Sequence, residues 1–452
     1  MFADRVLTGH VVTPTTTIRD GWLAIRNGKI CALGAGTPPP ARHHVDARGS
    51  WIMPGGIDAQ THAGSYWGLE GILPTSRAAV AGGVTTMVDM PFDTPEPLST
   101  VALLVAKRAA IERDSVCDIA LYATVAPGQD TSQMRPLAEA GACAFKISVC
   151  ESHPTRFPRI PADQQLAILR EAATLGLPVG LHNEDQEIVR SATAAIRAQG
   201  LSANALLSHD ACRPEQAELA ATASFVALAA SVGAHAHIVH ISTPRGFDLL
   251  ASHHGAGPRP TGEICVHYLL FDPAECGQAY GALLKVNPPL RPGVRDGLWA
   301  RIAGGEVQCV SSDHSTMSLA NKQTSSFFDA GPGMPGLQAM IPAFFSEATA
   351  RGLDAARLTA SHFSEKPAQL FGLLPRKGAL VIGADADLMI LEPGDFVHDA
   401  QAAQDDVGWS PYDGRALSVR VAGTYLRGQL VWDGSRLTGA RGQGRFVSRV
   451  AS

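Results

Sequence analysis

Short apolar runs separated by turn residues open the chain, at 5–7, 22–26 and 30–33. The last two flank Asn27-Gly28, a dipeptide suited to a two-residue hairpin. Pro38-Pro39-Pro40 marks a loop. From Pro54 the rhythm changes: short apolar strands alternate with longer amphipathic stretches, which predicts βα units. Eight strands are predicted, at 57–62, 85–90, 118–125, 144–149, 178–182, 236–242, 263–271 and 307–312. Eight strands with helices between them can close a barrel.

Between the strands, 163–175 places Leu166, Ile168, Leu169 and Leu175 near helical spacing, with Gly176 as a C-terminal cap. The stretch 214–231 predicts a second helix whose Pro214 suits the first turn. Beyond the barrel, 380–391 returns to strand character, and 420–426 and 429–432 form another hairpin around Arg427-Gly428. The two ends of the chain therefore look alike and are expected to pair. The predicted class is α/β: a (β/α)8 TIM-like barrel over 54–373, with a small β-sandwich domain built from both chain termini, 1–53 and 374–452.

Composition narrows the partners. The 452 residues are 45% hydrophobic and 17% charged with a mean hydropathy of +0.05, ordinary values for a globular protein. A net charge of −5 without blocks of like charge argues against a nucleic-acid surface and for small-molecule partners. No basic-then-apolar leader and no membrane-length apolar run is present, so a cytoplasmic location without membrane contact is expected. Eight cysteines lie scattered without CxxC spacing, which indicates neither a disulfide framework nor a thiolate zinc site.

In a parallel barrel, functional side chains sit at the C-terminal strand ends. Five of those ends carry metal-capable or titratable groups: His62, Lys146, His182, His240 and Asp313. Lys146 is the oddest, because an ammonium inside an apolar strand is costly unless something satisfies it. His235 and His237 fall on the opposite face of their strand from His240 by simple alternation, which turns them toward the helices. His43, His44, His253, His254 and His398 end no barrel strand and are expected to be structural or surface residues.

The stretch Pro54-Gly-Gly-Ile-Asp-Ala-Gln-Thr-His62 resembles the first-strand signature of the amidohydrolase superfamily. Within it, Ala81-Gly-Gly-Val-Thr-Thr86, Phe145-Lys146, His182-Asn-Glu184, His240-Ile-Ser242, Pro288-Pro-Leu-Arg291, Ser312-Asp-His314 and Ser410-Pro-Tyr-Asp-Gly414 are most similar to the hydantoinase, dihydropyrimidinase and allantoinase group. The resemblance implies hydrolysis of a cyclic amide at one or two divalent metal ions, zinc first among them. His62, Lys146 and Asp313 would hold one metal, and Lys146, His182 and His240 the other, with Lys146 carboxylated on its side-chain nitrogen. Asp313 would act as general base and then acid. A homotetramer or homodimer is implied as well.

Two positions depart from the pattern. Gln60 stands where the family has its first histidine, either as a weak ligand or as a donor behind the ligands. Glu151 stands where many relatives place an oxyanion-binding tyrosine, so that stabilisation either comes from elsewhere or is absent. By the same resemblance Asn287 and Gly333 face substrate, and the loops bring aromatic walls from Tyr66, Trp67, Phe92 and Phe157, with Arg156 and Arg159 nearby. Gly64 replaces the arginine that dihydroorotases use for a substrate carboxylate, which disfavours that reaction. A hydantoinase-type enzyme is expected, with allantoinase as the alternative. A metal-depleted, non-catalytic oligomer like the collapsin-response mediator proteins is the rival of another class.

Overall fold

The structure is a computed structural model that describes residues 2–126, 128–253 and 257–450; His254 lies outside them. Four strands open the chain: β1 (Ala3–Val12), β2 (Thr17–Arg26), β3 (Lys29–Gly34) and β4 (Ala41–Pro54). Next come β5 (Gly56–His62), β6 (Val84–Asp89), β7 (Asp118–Ala123), β8 (Ala144–Ser148) and β9 (Val179–His182). They are followed by β10 (Ala236–Ile238), β11 (Thr261–Cys265), β12 (Cys309–Ser311) and β13 (His314–Ser315). The chain ends with β14 (Leu388–Val397), β15 (Ala416–Leu426) and β16 (Gln429–Trp432).

Strands β5 to β13 form one curled parallel sheet in the order β12-β11-β10-β9-β8-β7-β6-β5-β13. The two ends of that order, β12 and β13, are consecutive pieces of one strand broken at Ser312-Asp313. The sheet therefore closes on itself as an eight-stranded barrel. Asp58 fastens the closure, its Oδ1 accepting from the Ser312 amide at 2.9 Å and its Oδ2 from Thr61 Oγ1 at 2.7 Å. Residues of five strands, among them Ile57, Val88, Tyr122 and Cys309, share one buried cluster with Val239, just beyond β10, and with Phe371.

Both termini share a separate seven-stranded sheet, order β16-β15-β14-β4-β1-β2-β3, with its own core of Leu7, Leu23, Ile52, Leu388 and Ile390. Its two hairpin turns are equivalent. Asn27 and Gly28 have φ of 53° and 73°, and Arg427 and Gly428 have 48° and 73°, the left-handed pair a tight hairpin requires. Buried ions tie this sheet to the barrel: Lys377 Nζ lies 2.6 Å from Asp118 Oδ2 and 2.5 Å from Asp387 Oδ2, and Arg427 reaches Asp118 at 2.7 Å.

The helix Ala162–Leu175 ends at left-handed Gly176 as expected. Other expectations shift. Pro214 is extended and caps Glu215–Val232 from outside rather than entering its first turn. Strand seven stops at Cys265 and gives way to the helix Val266–Leu270, where a strand to 271 was expected. A fully buried apolar run reads the same for either element. Strand six stops at Ile238 because His240 turns left-handed, with φ of 41°. That turn also corrects the expected direction of His237. It is fully buried, two residues before the lumen residue Val239, with Nε2 3.6 Å from Glu263 Oε2. Alternation counted back from His240 fails because the backbone twists between them.

Candidate active site

A cavity of about 270 Å³ opens at the C-terminal ends of the barrel strands, and its wall includes Gln60, His62, Lys146, His182, His240 and Asp313. Strand ends supply His62 and His182, β8 supplies Lys146, and two left-handed residues, His240 and Asp313, enter from the turns beyond β10 and β12. The side chains form two groups. In one, Asp313 Oδ1 accepts from Gln60 Nε2 at 2.8 Å and lies 3.2 Å from His62 Nε2, while His62 Nδ1 meets Ser65 Oγ at 2.9 Å. In the other, His182 Nδ1 faces His240 Nε2 at 2.9 Å.

Behind the second group runs a buried relay. His182 Nε2 donates to Glu184 Oε2 at 2.9 Å, and Arg213 grips the same carboxylate through Nε at 2.8 Å and Nη2 at 2.6 Å. A carboxylate on one ring nitrogen fixes the tautomer, leaving the lone pair of His182 on Nδ1. Burial alone would raise the Glu184 carboxyl, but the Arg213 charge and the His182 bond hold it far below its ordinary value.

Lys146 is buried, and burial brings its ammonium down to about 8 against the opposing pull of Glu263 and Asp313. No hydrogen bond or ion pair from its Nζ occurs among the described residues; the two carboxylates act through space. Burial also keeps His240 well below its ordinary value, with Lys146 and His182 reinforcing it, so its imidazole is neutral. For Asp313, burial works upward, but His62 and the neighbouring positive charges hold the carboxyl below its usual range.

Phe92, Glu151, Asn287 and Gly333 also line the cavity. Trp67, expected among them, does not: it is 37% exposed and outside the lining, and Tyr66, its neighbour in sequence, takes the wall position. The Gly333 amide is already committed to the Lys285 carbonyl at 3.0 Å, so only its carbonyl can serve a ligand. Asn287 Oδ1 is 3.0 Å from His209 Nε2. Arg156 lies over the Phe92 ring at 4.7 Å and donates to the Ser65 carbonyl at 2.8 Å, whereas Arg159 pairs with Glu187 away from the lining. Residues the sequence reading missed are Arg213, Ser65, His153 and Ser315. Only Glu184, two residues after His182, gave a local signal that a cation would stand nearby.

Residues 51–431 match the profile described as "Amidohydrolase family". The chain belongs to that family. Among curated amidohydrolases it is 35% identical to the allantoinase of Rubrobacter xylanophilus, over 97% of each chain. It is 28% identical to the L-hydantoinase of Paenarthrobacter aurescens, over 96% of this chain and 95% of the relative. Its fold superposes on the solved L-hydantoinase (dihydropyrimidinase) from Arthrobacter aurescens with a TM-score of 0.93 at 27% identity, covering 99% and 100% of the two chains.

Amidohydrolases depend in general on divalent metal, and the donors here fit one. Two neutral imidazoles converge, and among the described residues Lys146 Nζ makes no hydrogen bond or ion pair while Gln60 Oε1 and His240 Nδ1 are buried without hydrogen-bond partners. Uncompensated polar atoms at this depth are costly in isolation and become ligands or ligand supports when a cation is bound. Gly64 also gains an explanation in this amidohydrolase: a Cβ there would stand 2.0 Å from Asp93 Oδ1, so no side chain fits.

Proposed function

We propose that this chain is a hydantoinase-type enzyme that hydrolyses one C–N bond of a cyclic amide ring of the hydantoin, dihydropyrimidine or allantoin kind. The observation that carries the reading is the convergence of His62, Lys146, His182, His240 and Asp313 on one cavity whose remaining wall mixes aromatic rings with Asn287, Glu151, Arg156 and Arg213. Lys146, read as a carbamate, would hold the cation together with these groups. When bound, a divalent ion lowers the pKa of water and polarises an amide carbonyl.

The chain's own residues supply the rest. Asp313, kept ionised by His62 and its surroundings, takes the proton from the attacking water and delivers it to the departing ring nitrogen. The water's oxygen enters the new carboxyl group, the C–N bond breaks, the nitrogen gains the proton carried by Asp313, and the second water proton is released to solvent as the acid ionises. Gln60 orients Asp313 through its 2.8 Å bond. Tyr66 is the phenol on the wall, and burial and the Asp313 charge push it up to about 12, so it stays protonated. We assign it as the oxyanion donor in place of the tyrosine that Glu151 replaces. Phe92 and Phe157, 5.3 Å apart, flank the ring substituent.

A second reading, allantoin as substrate, is favoured by Arg156: a guanidinium on the cavity wall suits the ureido group that distinguishes allantoin from other hydantoins. The curated relatives named allantoinase agree with it. We also propose a homotetramer or homodimer, as the resemblance implies, and a cytoplasmic location. Among the described residues no helix is long and apolar enough to cross a membrane.

The test is metal content per chain after growth with zinc and bicarbonate, followed by ring-opening assays on hydantoins, dihydropyrimidines and allantoin. One or two metals bound through the catalytic donors, with hydantoin or allantoin turnover, is the expected result. No metal and no turnover would refute it and favour the non-catalytic oligomer. Lys146→Ala should lose metal and turnover and regain part of both with added short carboxylic acids.

A further inference from the structure

Below the catalytic strand ends lies a second cluster that the proposed reaction does not use. His237 on β10, Glu263 on β11 and Cys309 on β12 come from three adjacent strands, and all three are fully buried. Glu263 and Cys309 are register partners, which sets their side chains at one level of the lumen. His237 Nε2 and Cys309 Sγ each stand 3.6 Å from Glu263 Oε2, and the three donor atoms lie within 4.8 Å of one another.

The His237–Glu263 spacing is too long for an imidazole–carboxylate hydrogen bond, which closes to about 2.9 Å, while the Cys309 thiol donates a weak, long hydrogen bond to the same Glu263 Oε2. Both 3.6 Å spacings also suit donors sharing one ion: bonds of about 2.0–2.3 Å at a tetrahedral centre set donors roughly 3.3–3.7 Å apart. His237 Nε2 is buried and has no hydrogen-bond partner, while its other nitrogen meets Thr261 Oγ1 at 2.9 Å. The remaining oxygen of Glu263 accepts from Ser311 Oγ at 2.6 Å. His237 and Glu263 thus each have a support on the side away from the shared point. The charges also close. A divalent ion would offset one carboxylate and one thiolate beside a neutral imidazole, the thiol proton leaving as the metal–sulfur bond forms.

We propose that His237, Glu263 and Cys309 form a separate zinc site in the barrel lumen that braces strands six, seven and eight beneath the catalytic pocket. A mixed nitrogen, oxygen and sulfur set selects zinc over the harder magnesium or calcium. Motif spacing could not show it, because the three ligands are distant in sequence and only the barrel register aligns them.

The catalytic donors contain no sulfur, so zinc-edge X-ray absorption on the whole zinc-grown protein separates the two sites. The expected result is a sulfur shell at about 2.3 Å that disappears in Cys309→Val together with one metal ion per chain. His237→Gln should lower the same count and leave the nitrogen and oxygen shells of the catalytic metal. A zinc-loaded wild type with only nitrogen and oxygen neighbours overturns the proposal, and so does a sulfur shell that survives Cys309→Val.

Discussion

Glu184 is the place to test whether the site is tuned from behind. Glu184→Gln preserves shape and burial but removes the charge that joins His182 to Arg213. In the native arrangement the carboxylate receives the His182 Nε2 bond at 2.9 Å and two guanidinium bonds at 2.8 and 2.6 Å. It thereby keeps the His182 lone pair on Nδ1, facing His240. A neutral amide accepts a weaker bond and can instead point its NH2 group at the ring, which selects the wrong tautomer. Loss of such an outer partner costs 10–100-fold in metal affinity, or about 1.4–2.7 kcal/mol.

The sign with pH follows from the same carboxyl. Its folded value lies far below the ordinary 4.5, so its contribution is complete above 4.5 and is lost only as the pH falls through the lower folded value. Across neutral pH the wild type should therefore show no Glu184-linked change in affinity. The assay is zinc competition against a chromophoric chelator at several neutral pH values, with thermal melts to confirm folding. A folded Glu184→Gln that binds zinc as tightly as wild type would refute the idea that the carboxylate orients His182.

Three further outcomes are expected. Tyr66→Phe should lower kcat about 10²–10³-fold with little change in KM in steady-state ring opening, and an unchanged kcat would remove Tyr66 as the oxyanion donor. Arg156→Met should raise KM for allantoin about tenfold, the worth of one charge-assisted bond of roughly 1.5 kcal/mol, while sparing alkyl hydantoins; equal losses on both would mean that Arg156 only orders its loop. Lys377→Met leaves Asp118, Asp385 and Asp387 without their shared ammonium and should destabilise by about 3–5 kcal/mol, read as a lower melting temperature. Its ammonium is held above the usual 10.5 by Asp387 and Asp118 despite burial, so its contribution is complete through neutral pH and lost only in strong alkali.

The barrel was legible because each βα unit repeats a local signal: an apolar strand, a polar lip, an amphipathic helix. The terminal sheet was legible through its two hairpins, since Asn27-Gly28 and Arg427-Gly428 carry the turn chemistry themselves. What could not be read were contacts made by closure. Asp58 meets Ser312 across 254 positions and Arg213 meets Glu184 across 29, and nothing near either residue in sequence names its partner.

The expected direction of His237 shows the physical limit most sharply. Period-two alternation assumes extended backbone on every residue, yet the lip of this barrel is made by residues that leave it. His240 and Asp313 adopt φ of 41° and 49°, rare for non-glycine residues, and both turn donor atoms into the cavity. Such conformations cost about 1–3 kcal/mol each and persist only where the surroundings enforce them. The same twist that carries His240 up to the cavity leaves His237 facing the lumen beside Glu263. A parity rule applied through a functional turn must therefore misplace one side of it. Here the misplaced residue, His237, is one of the three donors of the proposed lumen site.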